Sequence, residues 1–431
     1  QERSLASHYL QGLLMTKRRL IVFFDGTWQE PANTPQPTNV VKLLRAIPSS
    51  AGDVPQIVFY DRGVGTGNVV DRLRGGAFGN GLLENVVDGY RFLGNNYQPG
   101  DEIFIFGFSR GAFTARSLAG LIGLCGLLKP PYLGHPLQDD IAKIASSDLS
   151  TEAKRTKIST LDIEAHKDVP IECVGVWDTV GSLGIPGDLG RRLIPAKYHF
   201  HDVQLGANVR VALHAMAIDE KRSAFSPTLW VKKKGTKLPD KQIVEQVWFP
   251  GVHSNVGGSY DDCRLSDITL DWMAKRVTKH TGLKLDNPSL KARLSPAIDG
   301  RGYESRTTMY FSSHAYPYQR LINQIAPEEK TLLDKLRLKC PKFDRRNIIP
   351  AGLETINEAI HVSALERWNI STGVLHDNSS EGSLERVLYR PPNLNAVLRA
   401  HYAGTHTPNI INWSGATMRK DIPWPGQSTL E

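Results

Sequence analysis

Short, nearly continuous apolar runs recur along the chain: Leu20–Phe24, Gln56–Tyr60, Ile103–Phe106, Ile171–Trp177 and Ile243–Phe249. Runs of this length with little polar alternation predict strands buried on both faces. Between them the spacing turns helical. Thr38–Ile47 reads as a helix capped by Thr38 or Asn39, and Gly81–Asn95 sets Leu82, Val86, Tyr90 and Leu93 at helix spacing. Gly206–Glu220, Ser266–Thr281 and Leu353–Arg367 are also predicted helical. Strands alternating with helices predict an α/β fold with a mostly parallel sheet flanked by helices.

The pattern weakens in three places. Residues 1–14 show little organisation, and Met15-Thr16-Lys17-Arg18-Arg19 reads as a natural start, so 1–14 is set apart as an added or disordered leader. Residues 129–167 are polar and broken by Pro130-Pro131; they are predicted to form helices outside the sheet and are a candidate lid. From about Asn287 the chain is rich in Pro, Tyr and Arg, which predicts a cap over 287–431 packed on a core of 15–286.

One stretch carries chemistry. Ile103–Phe106 leads into Gly107-Phe108-Ser109-Arg110-Gly111, and a helical pattern continues through Leu118, Leu121 and Ile122. Strand, Gly-x-Ser-x-Gly and helix in that order form a nucleophile elbow. The turn projects the Ser109 hydroxyl above the sheet, and the helix aims its positive N-terminal end at the same point. The Arg110 N–H, with Gly26 or Thr27 from the loop after the first strand, is the predicted pair of oxyanion donors. Two further strands end in Asp178 and His253, so Ser, Asp and His arrive in the chain order of an α/β-hydrolase triad.

Rivals exist for each partner. Asp25 and Asp61 lie at the same predicted edge, with Asp25 read as ordering the oxyanion loop. His361 could reach the site from a cap helix, His214 looks like a packed helix residue, and His135 is a third competitor. Arg110 and Arg116 flank the start of the nucleophile helix, where a salt bridge to an acid or a substrate contact would suit them. His199 and His201 lack a visible third ligand, so no metal and no cofactor is expected. Asp61-Arg62-Gly63-Val64-Gly65-Thr66-Gly67 lacks the Gly-Lys-Ser/Thr ending of a phosphate loop.

Composition narrows the partners. The 431 residues carry a net charge of +8, with 40% hydrophobic and 22% charged residues, an ordinary globular balance. The excess of cations favours an anionic partner such as a phospholipid surface. No nucleic-acid-binding signature is visible, so nucleic acid is not expected. Four cysteines without metal-ligand pairing fit a reducing compartment. No conventional secretory leader is visible, which leaves cytoplasmic residence or export by another route. The oligomeric state is open.

Phe23–Trp28 (Phe-Phe-Asp-Gly-Thr-Trp), Gly107–Ala112, Gly175–Gly181 and Phe249–Gly258 together resemble the α/β-hydrolase domain of type VI secretion phospholipase effectors, which also occurs in uncharacterised bacterial and fungal proteins. The likeness spans most of residues 19–395. It implies Ser109, Asp178 and His253 as the triad and hydrolysis of phospholipid acyl esters. Competing expectations are an esterase of small soluble esters, an acyltransferase or amidase using the same triad, and a non-catalytic interaction module on a hydrolase scaffold.

Overall fold

The computed structural model describes residues 17–26, 36–63, 77–133, 136–145, 147, 149–180, 205–222, 225–306, 318–326, 342–343, 348–378 and 383–430. The leader expected over 1–14 lies outside them.

Among the described residues nine strands join one sheet. In chain order they are β1 (Arg19–Phe24), β2 (Ser50–Ala51), β3 (Val54–Asp61), β4 (Glu102–Phe108), β5 (Ile171–Trp177), β6 (Val209–Ala217), β7 (Ile243–Phe249), β8 (Glu358–His361) and β9 (Asn409–Ile411). The spatial order is β9-β8-β7-β6-β5-β4-β1-β3-β2, and all pairs are parallel except β2 with β3.

Burial on both faces explains the unbroken apolar runs. Along β1, Leu20, Val22 and Phe24 enter one core cluster while Ile21 and Phe23 enter another. Helices α2 (Ala77–Asn96) and α3 (Arg110–Cys125) cover the first face; α1 (Asn39–Leu44) and α7 (Arg264–His280) cover the second. Thr38 caps α1 by accepting from the Val41 N–H.

Three expectations need correcting. Gly206–Glu220 is not a helix; Val209–Ala217 is β6, a fully interior strand. A short run of buried apolar residues fits either element, and only its place between β5 and β7 decides. Leu353–Arg367 divides into Leu353–Thr355, the strand β8 and the helix α8 (Val362–Trp368). The region 287–431 is therefore not only a cap: β8 and β9 extend the parallel sheet, and α8 and α9 (Pro392–Tyr402) close a third cluster around Trp248, Trp368 and Leu394.

The segment 129–167 contributes two helices. Helices α4 (Pro136–Ala145) and α5 (Thr151–Ser159) lie against α2 and α3, with Ile141, Ala145 and Ile158 buried in the first cluster.

Within α3, Gly120 faces open space: a methyl group there would meet nothing within 4 Å. Glycine in a helix interior costs about 1 kcal/mol relative to alanine. Gly120→Ala is expected to raise the free energy of unfolding by about 0.5–1 kcal/mol in a urea titration; a lowered midpoint would mean that the helix depends on a bare position there.

Candidate active site

Ser109 directly follows β4 and stands at the N-terminus of α3 with φ 60° and ψ −121°. This strained geometry turns the side chain up and out of the sheet plane. The Ser109 N–H donates to the Trp177 carbonyl at 3.0 Å, which ties the turn to the tip of β5. The Phe108↔Trp177 pairing sets the two tips at one level, so Asp178 begins where Ser109 does. Asp178 also has positive φ, at 41°, and its N–H donates to the Ala215 carbonyl of β6 at 2.7 Å.

His253 opens the short helix α6 (His253–Gly257), reached from β7 through Pro250-Gly251-Val252. Its Nε2 lies 2.8 Å from Ser109 Oγ and its Nδ1 lies 2.5 Å from Asp178 Oδ2. All three residues are buried. The imidazole sits between the Phe108 and Phe225 rings, with centroids 4.7 and 4.9 Å away, and its backbone N–H donates to Glu220 Oε2 at 3.3 Å.

Every face of the Asp178 carboxylate is engaged. Oδ1 accepts from the Ala217 N–H at 3.0 Å and Arg320 Nη1 at 2.6 Å; Oδ2 accepts from Arg320 Nη2 at 3.0 Å besides facing His253. Burial works against this charge, yet Arg320 and His253 hold the Asp178 carboxyl well below the usual carboxylate range. Burial pushes the His253 imidazole down, against the pull of Asp178, so it is neutral and able to accept a proton at neutral pH. Glu220 is held at about 2: burial opposes its charge, and Arg222 overcomes that.

The other predicted residues divide. Gly26 stands beside the hydroxyl, where an added methyl would lie 3.5 Å from Ser109 Cβ. Its N–H, however, donates to Asp25 Oδ1 at 2.7 Å, so Asp25 engages the amide assigned to the oxyanion. Asp25 Oδ2 accepts from Thr38 and Tyr60, both at 2.9 Å, and burial raises its carboxyl to about 6. Thr27 lies outside the described residues. Asp61 turns back on its own loop, accepting from the Gly63 N–H at 2.6 Å and from Asn85 at 3.2 Å. Arg116 donates to the Thr228 carbonyl and stacks over Trp230 at 4.8 Å, which is a packing role.

His361 is not a rival base. It is buried at the end of β8, bonds Ser363 through Nδ1 and stacks on Phe249, and burial lowers it to about 3. His214 is a packed residue as expected, but on β6: its Nε2 accepts the Thr179 N–H at 3.1 Å. His135, His199, His201, Gly65 and Gly67 lie outside the described residues. Among the described residues no group of His, Cys, Asp and Glu could hold a metal ion, and no helix is long and apolar enough to cross a membrane.

Sequence reasoning missed Arg320 and Glu220. Glu220 was read only as the last residue of a predicted helix, and Arg320 is 142 positions from the carboxylate it grips.

The chain is similar to several known proteins. A model of the catalytic domain of Tle1-like phospholipase effectors of type VI secretion matches residues 18–276. An uncharacterized protein of Saccharomyces cerevisiae is 30% identical over 241 residues, 48% of this chain and 32% of that protein. The chain thus matches about a third of that relative's length. Among solved structures, an uncharacterized protein from Pseudomonas aeruginosa aligns with TM-score 0.40 and 16% identity, covering 69% of this chain and 51% of that one. The Tle1 effector bound to the VgrG spike aligns with TM-score 0.32 and 20% identity, covering 57% and 52%.

Proposed function

The chain belongs to the Tle1-like family of type VI secretion phospholipase effector catalytic domains, and from that premise we propose that it is a serine ester hydrolase acting on the acyl esters of phospholipids. One observation carries the proposal: a buried serine hydroxyl 2.8 Å from an imidazole nitrogen whose ring partner nitrogen faces a buried carboxylate at 2.5 Å.

In the proposed reaction His253 Nε2 takes the Ser109 proton as Oγ attacks the ester carbonyl. Asp178 holds the proton on Nδ1 and stabilises the imidazolium. The tetrahedral intermediate collapses, the C–O bond to the alcohol breaks, and His253 returns its proton to the leaving oxygen. Water then repeats the sequence on the acyl-enzyme, with His253 again as base, releasing the carboxylic acid and free Ser109. The Arg110 N–H, at the open end of α3, is the first proposed oxyanion donor. Gly26 or Thr27 supplies the second, which for Gly26 requires its amide to turn from Asp25. The +8 net charge favours approach to an anionic lipid surface.

The test is release of fatty acid from anionic phospholipid vesicles, set beside short p-nitrophenyl esters. Phospholipid turnover that weakens as salt rises is expected. Hydrolysis of the p-nitrophenyl esters with intact lipid after long incubation would move the substrate to small soluble esters; inertness toward both would end the hydrolase reading.

A further inference from the structure

Resting on that reading of the site, we propose that Arg320 is a positioning residue of the triad, setting both the orientation of Asp178 and the basicity of His253. Triad carboxylates are commonly fixed by backbone donors and neutral side chains; here a buried guanidinium forks onto both oxygens, at 2.6 and 3.0 Å. The same two nitrogens donate to the Ala217 carbonyl at 2.8 Å and the Phe225 carbonyl at 2.6 Å. Arg320 therefore joins the tip of β6, the carboxylate and the residue whose ring flanks the imidazole.

The segment that delivers it is itself anchored. The Tyr318 N–H donates to the Lys221 carbonyl at 2.9 Å, and Ile322 is buried in the third cluster. It lies beyond residues 18–276, so the working site is completed by chain outside the matched catalytic domain.

The charge has a direct consequence. A cation beside Asp178 offsets part of the attraction that the carboxylate exerts on an imidazolium, which keeps His253 neutral to lower pH. Among the described residues the other charged groups around the ring are Glu220 and Arg222, which pair with each other at 2.8 Å. Tyr260 beside them is kept neutral by burial. Arg320 is thus the cation that acts on His253 through the catalytic carboxylate.

The experiment is the pH profile of kcat/KM on a short p-nitrophenyl ester for the full chain, with Arg320→Gln and Arg320→Lys, each checked for folding by circular dichroism. Removing the charge in Arg320→Gln is expected to move the acid limb up by about one pH unit or more. Arg320→Lys keeps the charge but loses the fork, so kcat is expected to fall about 10-fold or more with the acid limb within about 0.3 unit of wild type. An acid limb in Arg320→Gln that coincides with wild type overturns the proposal. Should that variant not fold, an unchanged kcat in Arg320→Lys overturns it equally. Fluorophosphonate labelling of wild type separates the two levels: no label on Ser109 removes the triad and this proposal together, whereas a labelled enzyme with unmoved profiles removes Arg320 alone.

Discussion

Ser109→Ala is expected to lower kcat on an ester substrate by about 10⁴-fold or more, a loss above about 5 kcal/mol of transition-state stabilisation. Ser109 Oγ is the hydroxyl bonded to His253 Nε2, so the substitution takes from the base the group it would deprotonate. The fold should barely register the change. The Ser109 hydroxyl makes no cap bond to α3, and what the mutation removes is its bond to one imidazole, worth about 1 kcal/mol. The paired readout is initial rate and thermal midpoint on the same preparation. Rates within a few-fold of wild type would exclude Ser109 as the attacking group. A collapsed midpoint would show that the hydroxyl serves the fold.

Gly111→Ala is expected to lower the unfolding free energy by about 3 kcal/mol and to take activity with it. An alanine methyl at 111 would stand 2.3 Å from the Phe24 carbonyl oxygen and 2.5 Å from that of Asp25. Both are backbone atoms at the end of β1, paired on either side by β3 and β4, and neither can swing aside as a flexible side chain would. The start of α3 must back away from the sheet, carrying Ser109 off its line to His253. Gly120→Ala, nine positions on in the same helix, provides the opposite sign, because open space surrounds it. Urea titrations of the two variants against wild type check the contrast; a Gly111→Ala protein as stable as wild type would mean that α3 does not press on β1 as described.

How much of this was legible depended on range. The strand-turn-helix around Ser109 is a local pattern, and the chain states it within about twenty residues. β1, β4, β5 and β7 were legible because both-face burial leaves unbroken apolar runs, and the half-buried β3 because Ile57, Val58, Phe59 and Tyr60 follow one another. β6 was not: Val209–Ala217 is equally apolar, but its mixture of Ala, Leu, Met and His fits a buried helix as well. The short strands β8 and β9 carry too few residues to show a period at all. The rival His361 illustrates the same limit. Its residue type allowed a base, and only its enclosure among Phe249, Ser363 and Trp413 removed it.

The chain by itself determined the α/β class, the sharp turn that presents Ser109, and the order in which an acid and a histidine follow it, because each is written in neighbouring residues. Tertiary structure decided which groups meet: the Arg320 fork on Asp178, the capture of the Gly26 amide by Asp25, and the place of the C-terminal strands in the sheet. Those depend on contacts between segments far apart in sequence, and no local periodicity records where a distant side chain will arrive.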